Sequence, residues 1–141
     1  AVVTSFLGIG SFDTNNERYI GYIGHTGHKI ANKIVHESDF LLVLGSRLDI
    51  RQTGNQVNDF VPNGKVAWID IDSNELDNPR VSVDWSINAY ISKFCEAFIP
   101  KLPNTFSIIS YIFSCGFLLS IFIPRAPNTL SFIIQIVSFR F

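Results

Sequence analysis

Phe40-Leu41-Leu42-Val43-Leu44 is an unbroken run of five apolar residues, preceded by Ser38-Asp39 and closed by Gly45. A strand with one wet face alternates apolar and polar side chains with a period of two. A run without alternation suits a strand covered on both faces, as in a parallel sheet packed between helices. The rest of the chain has to supply those covers.

The neighbouring segments read accordingly. Residues 2–7 are β-branched and apolar and stop at Gly8-Ile9-Gly10, which predicts a buried strand ending in a turn. Residues 13–18 are polar loop, and 19–23 form a second short strand closed by Gly24. From Thr26 or Gly27 a helix is expected, because Ile30, Ala31, Ile34 and Val35 fall on one face at helical spacing, and Ser38-Asp39 ends it. The polar stretch 46–64 holds a helical turn near 56–60. A strand over 65–72 carries Asp70 and Asp72 at its carboxyl end, 81–84 is a marginal fifth strand, and 87–99 is a helix with Ile87, Ile91, Phe94, Cys95 and Phe98 on one face. Strands alternating with helices imply right-handed crossovers. The expected class is α/β, a Rossmann-like parallel sheet flanked by helices.

Composition narrows the function classes. A chain of 141 residues suits one domain, and 47% hydrophobic against 16% charged residues is too apolar for disorder throughout. Eleven basic against 12 acidic side chains leave no cationic excess for phosphates, so a nucleic-acid partner is not expected. Cys95 and Cys115 cannot make a disulfide framework. The absence of methionine implies a processed chain or a fragment, and no charged segment followed by an apolar core opens the sequence as a signal peptide would. A cytoplasmic location is expected.

The composition changes at Pro103. All 12 acidic residues precede it, so residues 1–102 carry 9 basic and 12 acidic groups, a net charge of −3. Residues 103–141 hold only Arg125 and Arg140 as charges, together with seven of the 13 phenylalanines. Residues 102–124 are uncharged and long enough for a bilayer, which needs about 20 apolar residues. That stretch is nevertheless rich in Ser, holds Gly116 and has a proline at each end. Pro103-Asn104-Thr105 recurs as Pro127-Asn128-Thr129, and two copies are too few for a solenoid. The preferred reading takes 1–102 as the domain and 103–141 as an apolar tail foreign to it, with a break in the reading frame near Pro103 as one origin. A membrane anchor is the second reading, and membrane association is not the favoured one.

In parallel α/β sheets, ligands bind beyond the carboxyl ends of the strands. Gly8-Ile9-Gly10, Gly24-His25-Thr26-Gly27 and Gly45-Ser46-Arg47 are expected there. The second turn leads into a helix, whose free N–H groups favour an anion such as a pyrophosphate; a tight turn without a ligand is the alternative. Arg47 and Arg51 carry forked donors suited to phosphate, and a surface pair of either with Asp49 is the alternative. Asp70 and Asp72 suit ribose contact or a helix cap better than a metal. His25, His28 and His36 have no zinc-ligand spacing, and no metal site is expected.

The series Leu7-Gly8-Ile9-Gly10, Gly21-Tyr22-Ile23-Gly24-His25-Thr26-Gly27, Ala31-Asn32, Ser38 through Gly54 and Trp68-Ile69-Asp70-Ile71-Asp72 resembles the central domain of thiamine diphosphate-dependent enzymes, acetolactate (acetohydroxyacid) synthases above all. The resemblance covers residues 1 to about 100. It implies an enzyme of three α/β domains, in which the first and third bind thiamine diphosphate and magnesium between subunits of a homo-oligomer. The implied activity is that of a transferase or lyase, decarboxylating a 2-keto acid and joining the remainder to a second one. It further implies a central domain that binds FAD without using it for redox chemistry. By match, the FAD contacts fall at Gly24, His25, Thr26, Gly27, Gly45, Arg47, Asp49, Asp70 and Asp72.

Ile50 and Gln52 depart from the synthase pattern, and a strand and glycine turn that open the domain in the family do not precede residue 1. No Gly-Asp-Gly metal motif occurs, so the chain by itself is expected neither to hold thiamine diphosphate nor to catalyse. A fragment of such an enzyme, supplying scaffold and a flavin-type nucleotide site, is the leading reading. A stand-alone Rossmann-like nucleotide-binding module and a domain tethered through residues 105–123 are the alternatives.

Overall fold

The computed structural model describes residues 1–98 and the backbone of 132–136. Its elements run β1 (Val2–Thr4), β2 (Tyr19–Tyr22), α1 (Lys29–His36), β3 (Phe40–Leu44), α2 (Ile50–Thr53), a 3-10 turn (Val57–Asp59), β4 (Lys65–Asp70), α3 (Ser73–Asp77), β5 (Trp85–Asn88), α4 (Ile91–Phe98) and β6 (Phe132–Ile136). The six strands form one sheet in the order β2-β1-β6-β3-β4-β5, and every pairing is parallel. This is the expected α/β class.

The alternation hidden in the apolar run of β3 becomes visible once both faces are followed. Leu41 and Val43 join Val3, Val66 and Trp68 on one face, where Ala31 and Val35 of α1 cover them. Leu42 and Leu44 join Val2, Ala67 and Ile69 on the other, beneath Phe12 and the α4 residues Ile91 and Phe94. Both faces are dry, so no polar position was needed in the strand.

Three elements differ from expectation. The fifth strand is 85–88 rather than 81–84, and all four of its residues are exposed. As an edge strand it buries neither face, so its sequence carries no burial rhythm to read. Val81 and Val83, whose alternation suggested a strand, instead tuck under the first core cluster from a loop. The helices α2 and α3 escaped notice because each is a turn of four or five residues set by its cap: Asp49 accepts from the N–H groups of Arg51 and Gln52, and Asp72 from that of Asn74. The helix expected from 87 begins at Ile91, and Ile87 belongs to β5.

Among the described residues no helix is long and apolar enough to cross a membrane. The candidate span within 102–124 and the Pro-Asn-Thr repeats lie outside the described residues. Strand β6 comes from the stretch set apart by composition, and its backbone lies between β1 and β3.

Candidate functional site

Because all strands point the same way, the turns after β1, β2, β3 and β4 share one edge of the sheet. Every one of the nine residues singled out from the sequence lies on that edge or one step beyond it. Gly24, His25, Thr26 and Gly27 connect β2 to α1; Gly45, Arg47 and Asp49 follow β3; Asp70 ends β4 and Asp72 follows it.

The Gly24–Gly27 turn is braced by its own chain. Gly24 donates its N–H to Asn32 Oδ1 at 2.9 Å, and Asn32 Nδ2 donates to the Gly24 carbonyl at 2.9 Å. His25 N–H reaches the Arg51 carbonyl at 2.7 Å, Gly27 N–H the Gly24 carbonyl, and His28 N–H the Tyr22 carbonyl. At φ 116° Gly24 occupies backbone space that side chains avoid, and a Cβ there would collide with the Arg51 carbonyl. Close packing against α2 therefore explains this glycine without a ligand. The helix starts at Lys29 with His28 as its cap, later than the sequence suggested, and no side chain caps it.

The β3 exit forms the second half of the edge. Gly45, at φ 63°, sends its N–H to the Ile69 carbonyl at 2.7 Å, which ties this turn to β4. Leu48 is fully buried and also holds a left-handed backbone, at φ 51°. That conformation is uncommon for a bulky side chain and sets Arg47 and Asp49 on either side of a sharp bend. Arg47 Nε pairs with Glu75 of α3 at 2.7 Å, and Arg51 pairs with Asp49 at 3.1 Å. Both guanidinium groups are largely exposed, so each pair contributes little to stability and leaves donor N–H groups facing solvent.

Asp70 and Asp72 take structural positions. Asp70 is buried, and its carboxylate accepts the Asp72 N–H at 2.9 Å. Asn88 Nδ2 bridges the carbonyls of Asp70 and Ile71 at 3.2 and 2.8 Å, fixing the end of β4. Asp72 caps α3. Of the two readings given above for these acids, the geometry displays the cap. No group of three or more His, Cys, Asp or Glu side chains gathers as a metal centre among the described residues.

An open cavity of about 540 Å³ lies beside the Gly24 turn, lined in part by Ile23, Gly24, His25, Asn32, Arg51 and Thr53. Its volume falls in the range of small-ligand sites. Gly24 and His25 border it, whereas Gly45, Arg47, Asp49, Asp70 and Asp72 do not; α2 separates the two groups. Sequence reasoning missed two residues that hold this region together. Asn32 locks the glycine turn, and Arg80 donates to Thr53 Oγ1 at 3.3 Å and to the Gly54 carbonyl at 2.9 Å. The donor chemistry of the edge, two exposed guanidinium groups beside glycine turns, fits a nucleotide diphosphate such as that of FAD.

Comparison with known proteins agrees with this arrangement. The family model described as the thiamine pyrophosphate enzyme, central domain, matches residues 1–98. The acetolactate synthase large subunit of Cyanidium caldarium is 40% identical over 80 residues, 57% of this chain and 14% of that protein. That of Haemophilus influenzae is 37% identical over 75 residues, 53% of this chain and 13% of the other. Acetolactate synthase isozyme 2 large subunit of Escherichia coli is 36% identical over 87 residues, 60% of this chain and 16% of the other. The chain thus spans about one seventh of the length of these relatives. On the match over residues 1–98, this chain belongs to the thiamine pyrophosphate enzyme family and carries its central domain.

Proposed function

We propose that the chain is the central-domain portion of an acetolactate synthase-like enzyme, acting as scaffold and as a site for the diphosphate of FAD. The observation that carries this reading is the gathering of the Gly24 turn, the Gly45 turn, Arg47 and Arg51 at one sheet edge, in a chain whose relatives are acetolactate synthases. In the whole enzyme, thiamine diphosphate with magnesium would supply the chemistry for decarboxylating a 2-keto acid and for carboligation. The missing cofactor-binding domains would hold both groups within a homo-oligomer in the cytoplasm. This chain's own part is to present backbone and guanidinium donors and to keep the Gly24 turn open to a ligand. Membership of the central-domain family favours this over a stand-alone nucleotide module or a membrane-tethered domain.

The test is titration of the full chain with FAD and with ADP, followed by flavin fluorescence and calorimetry. Saturable binding is expected, with Arg47→Gln and Arg51→Gln each weakening it about tenfold, the usual worth of a charge-assisted contact. Absence of saturable FAD binding overturns the flavin part of the reading.

A further inference from the structure

The sheet contains a strand-sized slot, and the chain fills it from its far end. Strands β1 and β3 do not pair with each other; each pairs with β6 instead. Val2, Val3 and Thr4 face Ile134, Gln135 and Ile136 across one ladder. All five residues of β3, Phe40 to Leu44, face Phe132 to Ile136 across the other. Removing β6 would leave a β2-β1 ribbon and a β3-β4-β5 sheet, two strand spacings or roughly 10 Å apart. Both inner edges lie in the interior: Val2, Val3, Thr4, Leu41, Val43 and Leu44 have no exposed surface. Backbone groups there have no water to turn to, and unpaired they cost stability heavily.

The segment that fills the slot lies outside the family match, which ends at residue 98. Residues 99–131 separate it from α4, a tether of 33 residues. Closing a loop of that length costs only slightly more than closing a short one, and it keeps the strand at high effective concentration. The sequence Phe132-Ile133-Ile134-Gln135-Ile136 is rich in β-branched residues, as a central parallel strand requires.

We propose that the gap between β1 and β3 is a strand-binding site for an apolar, parallel, five-residue segment, and that residues 132–136 of the same chain are its occupant. The boundary at 102/103 is then one of composition, while the sheet runs across it. This inference does not depend on flavin binding, since it concerns backbone pairing in the middle of the sheet.

Hydrogen exchange of the full 141-residue chain tests it. Amides of residues 133–136 are expected to exchange as slowly as those of Leu42, Val43 and Leu44, at least a hundredfold slower than an open chain. Exchange at the open-chain rate overturns the proposal. Protection that appears only as chain concentration rises assigns the strand to a second copy and overturns the intramolecular arrangement. Ile134→Pro removes an N–H from the middle of the ladder and should abolish protection in β1 and β3 together. A synthetic peptide of residues 130–138 added to that variant should restore it. If Ile134→Pro leaves exchange and melting unchanged, the slot does not hold this strand.

Discussion

The side-chain amide of Asn32 and the backbone of Gly24 form a closed pair of hydrogen bonds, each 2.9 Å long. The amide thereby does for Gly24 what a neighbouring strand does for an interior residue, satisfying its N–H and its carbonyl at once. Since the next N–H, that of His25, is bound to Arg51, the glycine turn is fastened to α1 on one side and to α2 on the other.

Asn32→Ala should therefore destabilise the chain by about 1–2 kcal/mol, the usual cost of leaving backbone partners unmet. The effect should concentrate in faster hydrogen exchange at residues 24–28. Asn32→Asp keeps the acceptor for the Gly24 N–H but places a carboxylate against the carbonyl, so it should rescue little. Urea denaturation of the three proteins, read together with exchange, checks both statements.

Acid sensitivity should arise partly at the opposite edge of the sheet. Asp84 holds Lys65 Nζ at 2.7 Å and the Val66 N–H at 2.9 Å, clamping the start of β4 beside the approach to β5. The Lys65 hydrogen bond first, and the Val66 N–H second, keep this carboxyl below its ordinary value of 3.8. A carboxyl with a lowered folded-state pKa adds stability above its unfolded value, and that contribution disappears as pH falls through the folded one. Asp84→Asn should accordingly lower Tm at pH 7 and make no difference below about pH 3, as measured by thermal melts across that range.

The thiol of Cys95 should be inert in the folded chain. It is fully buried on the inner face of α4, and burial, with Glu96 second, pushes its pKa up to about 12. Only the thiolate reacts readily with alkylating reagents. Mass spectrometry after iodoacetamide treatment at pH 8 should find the Cys95 peptide unmodified in native buffer and fully modified in urea.

How much of this was legible in the sequence varies with what each residue answers to. The bounds of β3 were readable because five apolar residues between an acid and a glycine describe a strand covered on both faces. Strand β5 was not, because Trp85-Ser86-Ile87-Asn88 lies exposed at the sheet edge and is specified by backbone pairing with β4. The position of the site followed from topology alone, since carboxyl ends of parallel strands must share an edge. Its internal fastening did not, because the Asn32–Gly24 and His25–Arg51 contacts join residues that local patterns treat as unrelated. Arg47 illustrates the same limit: a pairing with Asp49 was one reading, but its partner is Glu75, brought near by the β4–α3 turn.

The central claim is that the carboxyl edge of this sheet receives a nucleotide diphosphate between its glycine turns. Amide chemical-shift mapping of the full chain during FAD addition tests it most directly. The account predicts saturable shifts clustered at residues 24–27, 45–51 and 70–72, with β5 and the amino edge of the sheet unmoved. Shifts confined to other surfaces, or none at millimolar FAD, would contradict it.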